Sequence, residues 1–207
     1  MMKRGIITLC SAVALGAATL PAHAYQEGDW VVRAGVAHLS PNDSSDEILG
    51  GEVGVDSTTG IGFNVTYMVT DRIGVQVLGA LPFKHDLTHD VAGDIGETKH
   101  LPPTVTVQYH FQPMGQIRPY VGAGLNYTHF FDEEVDIENV ADDLSLDNSF
   151  SWAVEAGIDY ALDEHWLINA ALWYIDLDTT AELEPAGAEV DVTIDPWVAL
   201  VGGGYRF

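Results

Sequence analysis

Residues 197–207 sort their side chains with a period of two. Trp197, Ala199, Val201, Gly203, Tyr205 and Phe207 form an apolar set with aromatic rings at both ends, and Val198, Leu200, Gly202, Gly204 and Arg206 fall between them. Successive side chains of a strand point to opposite faces, so the segment reads as a strand with one continuous apolar face. Its length is about that of a tilted strand crossing a bilayer, ~9–11 residues.

Seven upstream segments repeat the pattern: 30–37, 61–69, 73–83, 103–111, 117–128, 150–162 and 166–174. The clearest sets Pro103, Val105, Val107, Tyr109 and Phe111 against Thr104, Thr106, Gln108 and His110. Eight strands close into a barrel whose interior is only just filled by side chains. Eight continuous sets of Val, Ile, Tyr, Phe and Trp do not fit inside it. The apolar face therefore points outward into lipid, with Trp30, Tyr67, Tyr109, Trp152, Tyr160, Trp166, Tyr205 and Phe207 as aromatic girdles near strand ends. The prediction is an all-β fold, an eight-stranded antiparallel transmembrane β-barrel. A final strand ending on an aromatic residue resembles the signal read by the barrel assembly machinery, an expected partner.

The amino terminus fits that destination. Met1-Met2-Lys3-Arg4 is basic, residues 6–20 are apolar, and Ala22-His23-Ala24 is an A-x-A cleavage site. Residues 1–24 read as a cleavable signal peptide and 25–207 as a single barrel domain. The one cysteine, Cys10, leaves with the signal, so no disulfide or thiol chemistry is expected. A net charge of −23 excludes nucleic acid as a partner, since that needs a basic surface.

Connections alternate between short turns (70–72, 112–116, 163–165) and long segments (41–58, 85–100, 132–148, 176–195). In outer-membrane barrels the short turns are periplasmic and the long loops extracellular, which puts both termini in the periplasm. Most of the 31 carboxylates fall in the four long segments, with only Lys99, and Lys84 at the edge of the second, for balance. Such a rim disfavours anions and can share divalent cations with lipopolysaccharide, an expected partner together with membrane lipid.

Several stretches carry a family resemblance: Phe63-Asn64-Val65-Thr66-Tyr67-Met68, Asp71-Arg72-Ile73-Gly74-Val75, Leu101-Pro102-Pro103-Thr104, Arg118-Pro119-Tyr120-Val121-Gly122-Ala123-Gly124, Trp173-Tyr174-Ile175-Asp176-Leu177-Asp178 and Asp195-Pro196-Trp197. With these the chain resembles the outer membrane protein W (OmpW) family, which includes the alkane-uptake protein AlkL. The resemblance implies an eight-stranded barrel that passes small hydrophobic molecules across the outer membrane.

Strand parity divides the lumen by height. Near the periplasmic end it puts Arg33, Arg118 and Arg206 inward with Glu155 and Asp159, and an unpaired buried charge is costly. These groups are expected to pair as a polar plug, with Asn64, Gln76, Gln108, His110 and Asn169 filling the remaining hydrogen-bond positions. Nearer the outside, Leu39, Leu78, Ala80, Pro82, Pro102, Phe130, Trp173, Ile175, Val198 and Leu200 take inward parity and read as an apolar pocket above the plug. A blocked floor implies lateral escape into the membrane between strands, where Pro82, Pro102 and Pro103 remove ladder hydrogen bonds.

Two rivals remain. A membrane-embedded enzyme needs a nucleophile with its base, or a carboxylate pair, near the rim. The one dense polar group there is His85-Asp86-Leu87-Thr88-His89-Asp90, whose two histidines meet as metal ligands only on a helical turn; a hydrated loop is the better reading. No catalytic residue, metal or cofactor is therefore expected. The other rival is a structural or receptor barrel whose loops bind phage, toxin or host surfaces without transport.

Overall fold

The computed structural model describes residues 24–42, 44–45, 53–80, 83–89, 93–101, 103–135, 143–146, 148–184 and 188–207. Side chains are described at 24–42, 56–80, 103–129, 148–180 and 193–207. Of the segment 1–24 expected to be a signal peptide, residues 1–23 lie outside the described residues.

All eight sequence segments are strands: β1 Trp30–Ser40, β2 Thr58–Met68, β3 Ile73–Ala80, β4 Thr104–His110, β5 Ile117–Val135, β6 Ser149–Ala161, β7 Trp166–Ile175 and β8 Trp197–Arg206. Each pairs antiparallel with its sequence neighbours. The ring closes where β1 meets β8, in register from Val31↔Arg206 to Ser40↔Trp197. Closure leaves no edge strand, the condition for a sheet to sit in hydrocarbon that offers no hydrogen bonds.

Burial alternates with the predicted phase. On β4, Thr104, Thr106, Gln108 and His110 are buried while Val105, Val107 and Tyr109 are exposed. Outward rings meet across strands at one end as Trp152–Tyr174 and Tyr174–Trp197, with centroids 5.6 and 5.2 Å apart. At the other end Trp30–Tyr67, Trp166–Tyr205 and Tyr205–Phe207 lie at 4.9, 4.9 and 4.7 Å. These are the two girdles, and the apolar band runs between them.

The short connections are tight for local reasons. Gly115 takes a φ of 65° in a hairpin closed by paired hydrogen bonds between Met114 and Ile117. Asp163 accepts from the backbone N–H of Trp166 and His165 at 2.7 and 2.8 Å, and these bonds hold its carboxyl below the usual carboxylate range.

The long connections are not all irregular. Segments Phe83–His89 and Gly93–Leu101 form a hairpin that continues onto the far half of β5. Asp178–Glu184 and Ala188–Thr193 form another, flanked by Asp143–Leu146 and Ser44–Ser45. His85 and His89 thus sit on a strand, where four residues span about 13 Å, and not on the helical turn that would bring them together.

Val201 lies midway between Trp197 and Tyr205 on the outward face and is 61% exposed. Replacing it with arginine is expected to destabilise the barrel by about 2–4 kcal/mol in equilibrium urea unfolding from lipid vesicles. A loss within about 0.5 kcal/mol would mean that this face does not meet acyl chains.

Candidate functional site in the barrel lumen

The lumen near the short turns is built in two layers. Tyr25, Val31, Met68 and Leu167 make a small apolar cluster. Against it lies a polar network that joins seven strands, β1 to β7.

Arg33 is its hub. The guanidinium donates to Asp159 twice, Nε to Oδ1 at 2.9 Å and Nη2 to Oδ2 at 2.6 Å, both residues being fully buried. Its Nη1 donates to Asn64 Oδ1 and Thr66 Oγ1 at 3.1 and 2.9 Å. Asp159 also accepts from the Tyr25 hydroxyl at 2.7 Å and from Asn169 Nδ2 at 2.8 Å. A bidentate pair whose remaining acceptors are satisfied is the arrangement in which a buried ion pair holds.

The network continues across the lumen. Thr66 Oγ1 donates to Gln108 Oε1 at 3.2 Å, Gln108 Nε2 to Gln76 Oε1 at 2.8 Å, and Gln76 Nε2 to Glu155 Oε2 at 2.9 Å. Glu155 Oε1 also accepts from Thr106 and, at 3.1 Å, from Gln108 Nε2. Both predicted carboxylates are thus tied into one web. Arg118 is buried with its guanidinium 4.8 Å from the Tyr25 ring centroid, a cation–π contact.

Arg206 is the member that stands apart. Its Nε pairs with Asp29 at 2.9 Å near the barrel mouth, where Asp29, Glu164, His165, Arg206 and Phe207 line a recess of about 320 Å³. Asp29 also accepts from the Gln26 amide, and Glu27 N donates to Asp71, so these contacts tether the segment that carries Tyr25.

Tyr25 and Tyr120 are the members that sequence reasoning left out of the plug. Tyr25 precedes the first strand, so no periodicity assigns it a face. Tyr120 has inward parity and accepts from Asn169 Nδ2 at 3.0 Å. Its signal was the partner opposite: Gly157 pairs with it in register, and a Cβ there would overlap the Tyr120 ring. Gly122 does the same for Glu155, whose Oε1 would lie 2.6 Å from an added Cβ.

Toward the long connections the lumen has two sides. Leu39, Leu78, Trp173, Ile175, Val198 and Leu200 are buried, and Ala80 is partly so. With Ala37, Gly62 and Gly79, the residues Leu78, Ala80, Ile175, Val198 and Leu200 line a cavity of about 20 Å³, room for little more than one water molecule. Pro82, Pro102 and the Phe130 side chain lie outside the described residues. Facing this wall from β4, β5 and β6 are buried Thr104, Asn126, Thr128 and Ser149, joined by Asn126–Thr104 and Thr128–Asn126 hydrogen bonds of 2.8 and 2.7 Å.

A closed antiparallel ring with a lipid-type exterior and a hydrogen-bonded interior defines an eight-stranded outer-membrane β-barrel. The chain belongs to the OmpW family, whose profile matches residues 26–207. It is 47% identical over 220 residues to outer membrane protein W of Vibrio cholerae serotype O1, with the whole of both chains covered. The crystal structure of OprG from Pseudomonas aeruginosa superposes with a TM-score of 0.81 at 38% identity, covering 88% of this chain and 97% of that one. More distant relatives are AlkL of Ectopseudomonas oleovorans, 24% identical over 88% of this chain and 84% of its own, and the dibenzothiophene metabolism operon protein PahQ of P. aeruginosa, 25% identical over the whole of both. The solid-state NMR structure of AlkL in lipid bilayers has the same fold, with a TM-score of 0.70 at 21% identity over 100% and 97% of the two chains. Family membership and the closed barrel place the protein in the outer membrane.

Asp159→Ala leaves the Arg33 charge buried without its partner and is expected to cost about 3–5 kcal/mol of unfolding free energy. The double variant Arg33→Met/Asp159→Leu should regain much of that loss. Equal stability of Asp159→Ala and the parent in vesicle unfolding would refute the pairing.

Proposed function

We propose that this barrel carries small hydrophobic molecules from the cell exterior into the outer membrane. The long connections face outward, both termini face the periplasm, and residues 1–24 are removed on export. Arg33, Arg118, Glu155 and Asp159 form a plug that stops straight passage, while Arg206 secures the rim. An apolar molecule enters from the long-connection end, displaces the side chains around the small cavity, and leaves sideways. Burial of its surface, at roughly 25 cal/mol per Å², supplies the attraction.

The observation that carries this reading is the position of the cavity. Its walls include Leu78, Gly79 and Ala80 at the described end of β3. Among the described residues the β3–β4 pairing runs to Leu78↔Thr104 and is taken up again at Phe83↔His100 in the hairpin beyond. Pro103 has no N–H to extend the ladder. The apolar cavity thus borders the β3–β4 seam at its proline-bearing end, which supports a sideways exit there. Two relatives add support: the outer membrane protein AlkL, and PahQ, which is named for a dibenzothiophene metabolism operon.

The tight packing of the lumen favours a second reading, in which the barrel only anchors loops that bind phage, toxin or host surfaces. One experiment separates the two. An apolar fluorescent reporter should enter cells carrying the protein several-fold faster than cells lacking it, and Ala37→Phe, which fills the cavity, should remove most of that gain. Equal uptake with and without the protein rejects transport and leaves the anchor.

A further inference from the structure

Within the uptake reading, on which this step rests, we infer that the preferred ligand is not a pure hydrocarbon but a neutral molecule whose apolar body carries a hydrogen-bond acceptor, with the Trp173 indole N–H as the donor that selects it.

Trp173 is fully buried on β7, in register with Val198 and two residues from the cavity-lining Ile175. Its Nε1 has no hydrogen-bond partner. An indole N–H only donates, and a buried donor left unpaired keeps its full desolvation penalty, so native structures hold few of them. Among the described residues, Asn64 Nδ2, His110 Nδ1, Arg118 Nε, Ser151 Oγ and Asn169 Oδ1 are also without partners. All but Ser151 belong to the network region nearer the short turns, whereas Trp173 lies beside the cavity wall through Val198 and Ile175. The lumen therefore holds one spare donor, the Trp173 N–H, beside its apolar wall, while the polar strip of Thr104, Asn126 and Thr128 is bonded to itself.

A saturated hydrocarbon would fill the apolar side and leave the indole N–H unpaired. A ketone, ester, aldehyde or ether would fill it and pair the donor. A carboxylate head is disfavoured, because Glu155 stands next to Trp173 in the ladder and the chain carries a net charge of −23. The site accordingly ranks a neutral carbonyl compound above both the alkane of equal size and a fatty-acid anion.

The test uses dipropyl ketone, octane and octanoate against the full-length mature protein in lipid nanodiscs. The indole ¹H–¹⁵N resonance of Trp173, assigned by its loss in Trp173→Phe, should move saturably with the ketone and stay in place with octane. In proteoliposomes the ketone-to-octane ratio of protein-dependent uptake should fall about fivefold or more in Trp173→Phe, the loss expected for one buried hydrogen bond. Octanoate should enter more slowly than the ketone. An indole signal that ignores the ketone, or responds equally to octane, overturns the inference while protein-dependent uptake of both compounds leaves the transport reading intact. Failure of both compounds to cross faster than in protein-free vesicles, with the indole still responding to the ketone, removes transport but keeps the donor site.

Discussion

Hydrocarbon around a protein offers no hydrogen bonds, and that constraint organises this molecule. Every strand must find partners on both sides, so the sheet closes, as the β1–β8 ladder does. Once the outside is lipid, the apolar set of each strand belongs there and the polar set is enclosed. An eight-stranded ring has little space to enclose it in. Side chains that would be hydrated on a soluble protein must satisfy one another, and the network from Asp159 through Arg33, Thr66, Gln108 and Gln76 to Glu155 is the result. Glycines set its shape as much as the polar groups do, since Gly157 and Gly122 leave the volume that Tyr120 and Glu155 occupy.

The same constraint links structure to the proposed transport. A floor that contains the buried, hydrogen-bonded Arg33–Asp159 pair is expensive to open, whereas apolar contacts above it can be exchanged for contacts with an apolar ligand at little net cost. The soft part of the lumen is therefore its outer half. The β3–β4 seam borders that half, which is where the proposed sideways route would leave the barrel.

Much of this was legible in the residues. The period-two alternation located the barrel strands to within three residues at every end but one, because one lipid face forces a strict pattern on every crossing; β5 runs seven residues past its predicted end, to Val135. Four of the five predicted plug residues are buried together, since parity alone assigns a face. Parity does not assign neighbours around the ring, which depend on strand register. That is why Arg206 was grouped with Asp159 although it pairs with Asp29 at the rim. The polar strip of Thr104, Asn126 and Thr128 escaped notice for the same reason. Tyr25 was missed because it enters the lumen from a segment without periodicity. The hairpins in the long connections were missed because those acidic, glycine-containing stretches have no lipid-facing set to mark them.

The central claim is the phase of the alternation, and a nitroxide scan along residues 103–111 in lipid vesicles tests it most directly. Labels at 105, 107 and 109 should be relaxed strongly by membrane-dissolved oxygen. Labels at 104, 106, 108 and 110 should be immobile and shielded from it. Oxygen accessibility with the opposite phase, or with none, would contradict the account.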